Sequence, residues 1–255
     1  MKHAFSPAGK QALRETMQRN ALLAFDFDGT LAPIVPRPEA AAAPSAIAQR
    51  LARLASLRPV AVITGRAGDD VRSRLGFTPQ YVIGNHGAER SPSDRLAPAA
   101  GQLDPLRARL GASQSKLAAA GVTVEDKRLS IALHYRTARE LAHAMAVIEE
   151  VLRDAGSDVR IFGGKCVVNV VPAGVPDKAG ALLALVAQTG ADTAVFLGDD
   201  VNDEVVFELA PPHWFTVLVG RAPQGSRARF FVDGQNLVAT LLQDMLDLLT
   251  GRSGA

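Results

Sequence analysis

An alternation along the chain most constrains its fold: short, wholly apolar runs are separated by stretches with helical periodicity. Residues 21–25 form such a run. Ile47, Leu51, Leu54 and Ala55 then recur at i, i+4, i+7 and i+8, which predicts a helix entered at Pro44-Ser45, and the next apolar run, 60–63, follows it. Strand, helix and strand in that order make a βαβ unit. A parallel strand is covered by helices on both faces, so it reads as continuously apolar rather than alternating. Further on, 178–186 is expected as a helix, 194–197 and 215–219 as strands, and 237–249 as a closing helix. The predicted class is α/β, with a Rossmann-like parallel-sheet core.

The middle of the chain breaks this alternation. Two helical stretches, 103–120 and 138–155, stand among strand-like pairs, 122–126 with 130–135 and 159–162 with 166–171. Each pair is joined by a short turn, which predicts antiparallel hairpins. These elements define a smaller α+β cap domain at 104–174, inserted between core segments 1–103 and 175–255. Proline- and alanine-rich stretches at 32–44 and 91–101 are expected as loops or linkers. A cap on two linkers is expected to open for substrate and close to exclude water, with hinges near 101–105 and 172–176.

Composition narrows the classes of function. With 255 residues, 47% of them hydrophobic, the chain can bury a large core. No apolar stretch approaches the ~18 residues of a membrane span, and the first twenty residues lack the apolar segment of a secretory signal. One cysteine, Cys166, excludes an intramolecular disulfide and suits a reducing compartment, so the cytoplasm is expected. Cys166 opens a valine-rich run and is expected as a small buried residue. A formal net charge of +2 is too small for a nucleic-acid footprint, and the arginines between 50 and 74 are expected on a solvated helix face. The pattern specifies no oligomeric state.

In open parallel sheets, ligands bind beyond the carboxyl ends of the strands. Three such ends are rich in polar groups: Asp26-Phe27-Asp28-Gly29-Thr30 after the first run, Thr64-Gly65-Arg66 after the second, and Gly198-Asp199-Asp200 after a later one. Two carboxylates one residue apart at a strand exit can point into one small volume. Unpaired they repel each other, and a hard divalent cation such as magnesium, which also takes substrate phosphate oxygens, relieves that repulsion. Each motif alone reads equally well as a turn or a helix cap; together, after strands, they are far more specific.

These motifs resemble the four of the haloacid dehalogenase superfamily of aspartate-nucleophile phosphohydrolases. Asp26 through Leu31 matches the first, Thr64 the second, Lys178 the third, and Gly198 through Glu204 the fourth. The resemblance implies a HAD-type core in which Asp26 attacks phosphorus, while Asp28 protonates the leaving oxygen and then activates water. It implies that Thr64 and Lys178 hold phosphoryl oxygens. It also implies a Mg2+ ion on the Asp26 side chain, the Asp28 carbonyl and Asp199, with Asp200 and Asp203 in support.

From about residue 22 to 246 the chain further resembles trehalose-6-phosphate phosphatases. The resemblance is carried by Ile63 through Arg66, Gly84-Asn85-His86-Gly87-Ala88-Glu89, Glu125 through Ser130, and His134-Tyr135-Arg136. It implies a small sugar phosphate as substrate, recognised by Glu125 and Lys127 in the cap. Gly29, Arg66, Asn85, His86, Ser130, His134, Arg136 and Asn169 are the other candidates for substrate contact. Strand alternation puts Ser130, His134 and Arg136 on one face and Ile131, Leu133 and Tyr135 on the other. The sequence departs from the family at Asn169, where glutamate is usual, and at Asn202, where threonine is usual. Asn169 offers an amide to sugar hydroxyls and supplies no negative charge. Phosphatases for other sugar phosphates, a phosphotransferase or mutase, and a noncatalytic sugar-phosphate sensor are the alternatives. Trp214 is expected to be a packing residue.

Overall fold

The structure, a computed structural model, describes residues 1–35, 37–90, 93–220 and 225–251. It divides the chain into two compact units, Met1–Gly84 with Lys178–Ala255, and Asn85–Asp177.

The first unit begins with β1 (Lys2–His3), α1 (Pro7–Met17), β2 (Ala21–Phe25), α2 (Ser45–Ala55), β3 (Val60–Ile63), α3 (Gly68–Arg72) and β4 (Tyr81–Ile83). The second unit holds α4 (Ser93–Gly101), α5 (Asp104–Ala112), α6 (Gln114–Ala119), β5 (Thr123–Asp126), β6 (Ile131–His134), α7 (Leu141–Leu152), β7 (Val159–Gly164) and β8 (Val167–Pro172). The chain then returns to the first unit through α8 (Lys178–Thr189), β9 (Thr193–Gly198), α9 (Glu204–Leu209), β10 (Phe215–Val219), β11 (Phe230–Val232) and α10 (Val238–Thr250).

Among the described residues the core sheet has seven strands in the order β1-β11-β10-β9-β2-β3-β4, every pairing parallel. All five residues of β2 are buried. Successive side chains point to opposite faces. Leu23 and Phe25 therefore join Leu13, Leu51, Leu54 and Leu241 from α1, α2 and α10, while Leu22 and Ala24 join Leu182, Leu185 and Phe207 from α8 and α9. Both faces are covered, which is why the strand carries no polar alternation. Removing one such side chain, as in Leu51→Ala, would cost ~2–5 kcal/mol. Trp214 is buried in the second of these clusters, as expected.

The second unit has an antiparallel sheet in the order β5-β6-β8-β7. Ile131, Leu133, Val168 and Val170 pack with α5, α6 and α7. The α/β class with a smaller α+β unit is thus as expected.

Several boundaries differ from the sequence reading. The second unit starts at Asn85 rather than 104 and runs to Asp177. The cause is α4, expected as part of a linker: Leu96, Ala99 and Ala100 pack with Ala88, Leu129, Phe162, Val171 and Val175. Pro98 lies inside this helix, at a cost of about 3 kcal/mol, and the packing of Leu96, Ala99 and Ala100 opposes that cost. Ser91 and Pro92 of that stretch lie outside the described residues. Segments 101–105 and 172–176, expected as hinges, fall inside the second unit. The helix expected over 103–120 is two helices meeting at Ser113, and that expected over 138–155 is confined to Leu141–Leu152. Cys166 is half-buried in the β7–β8 turn with φ 60°, rather than buried in a strand. No described helix is long and apolar enough to cross a membrane.

Candidate active site

The carboxyl ends of β2, β3 and β9 bring the expected residues of the first unit together. The Asp26 amide continues the ladder by donating to the Leu197 carbonyl at 2.8 Å, so Asp26 leaves the sheet beside the strand that delivers Asp199. The Thr64 amide donates to the Ile83 carbonyl at 2.9 Å, and its buried hydroxyl accepts from the Arg66 amide at 3.1 Å. Lys178, the first residue of α8, is buried with its ammonium 2.7 Å from Asp26 Oδ1 and 2.7 Å from Asp203 Oδ1.

The electrostatics follow from that burial. Loss of water pushes the Asp26 carboxyl well above its usual range; Lys178 opposes this, and Asp203 and Asp199 add to it. For Lys178, burial works against the charge, yet the carboxylates of Asp203 and Asp26 outweigh it and raise its pKa. One ammonium among three buried acids leaves the cluster short of positive charge.

Carboxylate oxygens of Asp26, Asp199 and Asp203 lie within 4.8 Å of one another, a grouping that can hold a metal ion. Gly29 makes room for it. A Cβ at Gly29 would stand 2.1 Å from Asp199 Oδ2, and its φ of 81° also favours glycine. An all-oxygen donor set with excess negative charge fits a hard divalent cation.

Asp203 also organises the loop. Its Oδ2 accepts the amides of Asp199 at 3.0 Å and Asp200 at 3.1 Å, while Asp200 Oδ1 caps the following turn through the Val201 amide at 2.7 Å. A Cβ on Gly198 would lie 2.4 Å from Asp203 Cγ, so a larger residue there would displace that carboxylate. Asp200, expected as a supporting metal residue, is the helix cap that the same letters also permit, and it stands outside the three-acid group.

Asp28 turns to Arg66. Both its oxygens accept from the guanidinium, Oδ2 from Nε at 2.7 Å and Oδ1 from Nη2 at 2.8 Å. Arg66 is thereby drawn off the solvated helix face expected for the arginines of this region; its side chain is only 12% exposed. Asp70 and Arg74 continue this pairing at i+4 and i+8 from Arg66, and sequence reasoning named neither as a site residue although that spacing was visible.

The remaining candidates lie in the second unit. Glu125, Ala132, Asn169 and Phe162 stand opposite one another across four strands and so share one face. Glu125 Oε2 is 2.9 Å from His134 Nε2 and 3.4 Å from Lys127 Nζ; the His134 hydrogen bond, with help from Lys127 and against partial burial, lowers its pKa. Asn169 is 3% exposed, and its Nδ2 has no hydrogen-bond partner among the described residues. Ser130 donates to Asn85 Oδ1 at 2.6 Å, and Asn85 Nδ2 donates to Glu89 at 2.8 Å. The two ends of the Asn85 amide are thus engaged within the unit. His86 is buried with its ring edge-on to Phe162 at 5.0 Å, and Arg136 donates to the Lys165 carbonyl at 3.0 Å.

The Trehalose-phosphatase family model matches residues 24–233. The chain belongs to the trehalose-phosphatase family. It is 32% identical over 254 residues to the trehalose-phosphate phosphatase of Mycolicibacterium paratuberculosis, with 92% of this chain and 64% of that one covered. It is 34% identical over 236 residues to the bifunctional trehalose-6-phosphate synthase/phosphatase of Thermoproteus tenax, with 89% and 32% covered. This trehalose-phosphatase family member therefore spans 64% and 32% of the length of these two relatives. Its fold is similar to that of the C. albicans trehalose-6-phosphate phosphatase C-terminal domain, at a TM-score of 0.77 and 22% identity, covering 95% of this chain and 96% of that one. It is also similar in fold to a Synechocystis sucrose-phosphatase solved with sucrose and phosphate, at a TM-score of 0.58 and 17% identity, covering 90% and 98%.

Proposed function

We propose that the chain hydrolyses trehalose 6-phosphate to trehalose and phosphate through an aspartyl-phosphate at Asp26. The observation that carries this reading is the buried Asp26–Lys178–Asp203 arrangement beside Asp199 at the exits of parallel strands, in a member of the trehalose-phosphatase family.

In the first half-reaction a carboxylate oxygen of Asp26 bonds to phosphorus as the phosphorus–oxygen bond to the sugar breaks. Asp28, with one oxygen released from the Arg66 fork to carry the proton, gives it to the departing sugar oxygen while the other oxygen keeps its guanidinium partner. In the second half, Asp28 takes a proton from water, the water oxygen bonds to phosphorus, and Asp26 is released with inorganic phosphate. Lys178 keeps Asp26 oriented and offsets charge gathering on the phosphoryl oxygens, and Thr64 donates its hydroxyl to them. The acidic group of Asp26, Asp199 and Asp203, with the Asp28 carbonyl, would hold magnesium, and Asp200 caps the turn that carries Asp203. Bound there, the ion supplies positive charge that neutralises the carboxylates and the transferring phosphoryl group.

The second unit, Asn85–Asp177, serves as the cap that recognises the disaccharide. Glu125 and Lys127 receive its hydroxyls, the Asn169 amide has an unused donor on the same sheet face, and His134 steadies Glu125. Gly29, Asn85, His86, Ser130 and Arg136 line or brace the substrate surfaces of their own units, and Arg66 holds Asp28. A single cysteine in 255 residues supports a reducing, cytoplasmic setting.

The test is phosphate release from trehalose 6-phosphate, sucrose 6-phosphate and glucose 6-phosphate, with magnesium or excess chelator, for the wild type and Asp26→Asn. Release from trehalose 6-phosphate that requires the metal and vanishes in Asp26→Asn is expected. Preference for another sugar phosphate would overturn the substrate assignment. An isomeric sugar phosphate as product would indicate a transferase, and folded protein with no turnover a sensor.

A further inference from the structure

Arg66, Asp70 and Arg74 follow one another at i, i+4 and i+8, and their side chains form one continuous charged chain that ends on Asp28. Arg66 commits Nε and Nη2 to the two oxygens of Asp28, Nη1 to Asp70 Oδ2 at 2.9 Å, and Nη2 again to the Pro38 carbonyl at 2.8 Å. The other oxygen of Asp70 takes Nε and Nη2 of Arg74 at 2.9 and 2.6 Å. Arg74 donates onward to the carbonyls of Glu39 and Ala41, and its own carbonyl accepts the Ala43 amide at 3.0 Å. The Arg66 guanidinium also lies 5.5 Å from the centroid of the Phe27 ring.

A lone exposed aspartate–arginine pair is a weak constraint, because both side chains move and solvent screens them. Here every nitrogen of the Arg66 guanidinium has a partner. A planar fork held on all sides fixes the plane of the carboxylate it grips. Asp70 and Arg74 do not touch Asp28, so any influence on it passes through Arg66.

We propose that Asp70 and Arg74 are positioning residues for Asp28: acting through Arg66, they set the direction of its carboxylate and tie the 38–43 segment to it. The inference rests on Asp28 being the group that delivers a proton to the leaving sugar oxygen. It also gives Arg66 a task inside the protein, gripping the acid/base residue, in place of binding sugar.

The experiment compares two phosphate esters whose leaving groups differ in their need for that proton. A sugar alkoxide requires it, whereas p-nitrophenolate departs without it. In Asp70→Asn, kcat for trehalose 6-phosphate is expected to fall on the order of 10-fold with KM within about twofold, because orientation rather than binding is lost. The first-turnover burst of p-nitrophenolate, which reports attack by Asp26, is expected to stay within about twofold of wild type. Arg74→Lys keeps the charge but cannot grip one oxygen with two nitrogens; it should show the same split at smaller size, and it stands in should Asp70→Asn fail to fold. Asp69→Asn, on the exposed side of the same turn, should show no split.

Equal losses on both esters, or a rise in KM alone, would overturn the inference while leaving the phosphatase reading intact. If the wild type prefers another alkyl phosphate, the split is read on that ester, so the substrate's identity and the role of this chain fail separately. A wild type that forms no aspartyl-phosphate from either ester overturns both.

Discussion

Asp203→Asn separates two roles for one buried acid, metal ligand and organiser of the site. The fully buried carboxylate accepts three hydrogen bonds, from Lys178 on Oδ1 and from the Asp199 and Asp200 amides on Oδ2. Asparagine keeps the shape and can still accept both backbone amides on its oxygen. Its NH2 group then faces the Lys178 ammonium, donor against donor. Removing one partner from a buried ion pair costs ~3–5 kcal/mol. The lower end applies here, because Asp26 still holds Lys178 at 2.7 Å and is relieved of a neighbouring negative charge. At ~2–4 °C per kcal/mol for a chain of this size, ~3 kcal/mol lowers Tm by about 6–12 °C. Thermal unfolding in excess chelator is the decisive assay, because the loss lies in the protein's own pairing and not in metal binding. A Tm within about 2 °C of wild type under chelator would refute the organising role and leave Asp203 as a metal ligand alone.

Gly29→Ala forces a methyl group against the Asp199 carboxylate in a backbone region that disfavours alanine; magnesium-dependent phosphate release is expected to drop on the order of 10-fold, with a higher magnesium requirement. Unchanged metal dependence would contradict the crowding argument. In the second unit, the Arg107 hydrogen bond holds the Asp126 carboxyl below the usual aspartate range despite partial burial. A pKa depressed by folding stabilises the protein above the unfolded-state value, and that contribution is lost as pH falls through the folded-state value. The stability gap between wild type and Asp126→Asn should therefore be present at neutral pH, less than ~1 kcal/mol for so exposed a pair, and should shrink as pH falls below the usual aspartate range. A gap that stays constant through that fall would exclude charge pairing as its source.

The core strands and the three polar strand exits were legible in the sequence because their signal is local. A strand buried on both faces must be apolar throughout, and a polar cluster directly after it has few reasons to exist in a folded core. Asp26, Asp28, Thr64 and Asp199 could be named on that ground. Strands β1, β4 and β11, of two or three residues each, are too short to carry any periodicity. They exist because neighbouring strands supply their hydrogen bonds, β10 and β1 for β11, β11 for β1 and β3 for β4.

The sequence by itself determined the layer architecture and the antiparallel sheet in the middle of the chain, since periodicity and composition act over a few residues. Tertiary structure alone decided what each polar group does. Lys178 stands 152 residues from Asp26 along the chain, and only the fold places its ammonium between two buried carboxylates. Arg66, expected at a strand exit as a substrate contact, is instead held by a partner 38 residues away, Asp28. Asp200, indistinguishable from Asp199 by pattern, becomes a helix cap because the backbone turns beneath it. Charge pairing and desolvation depend on distances between residues remote in sequence, and a linear pattern does not contain those distances.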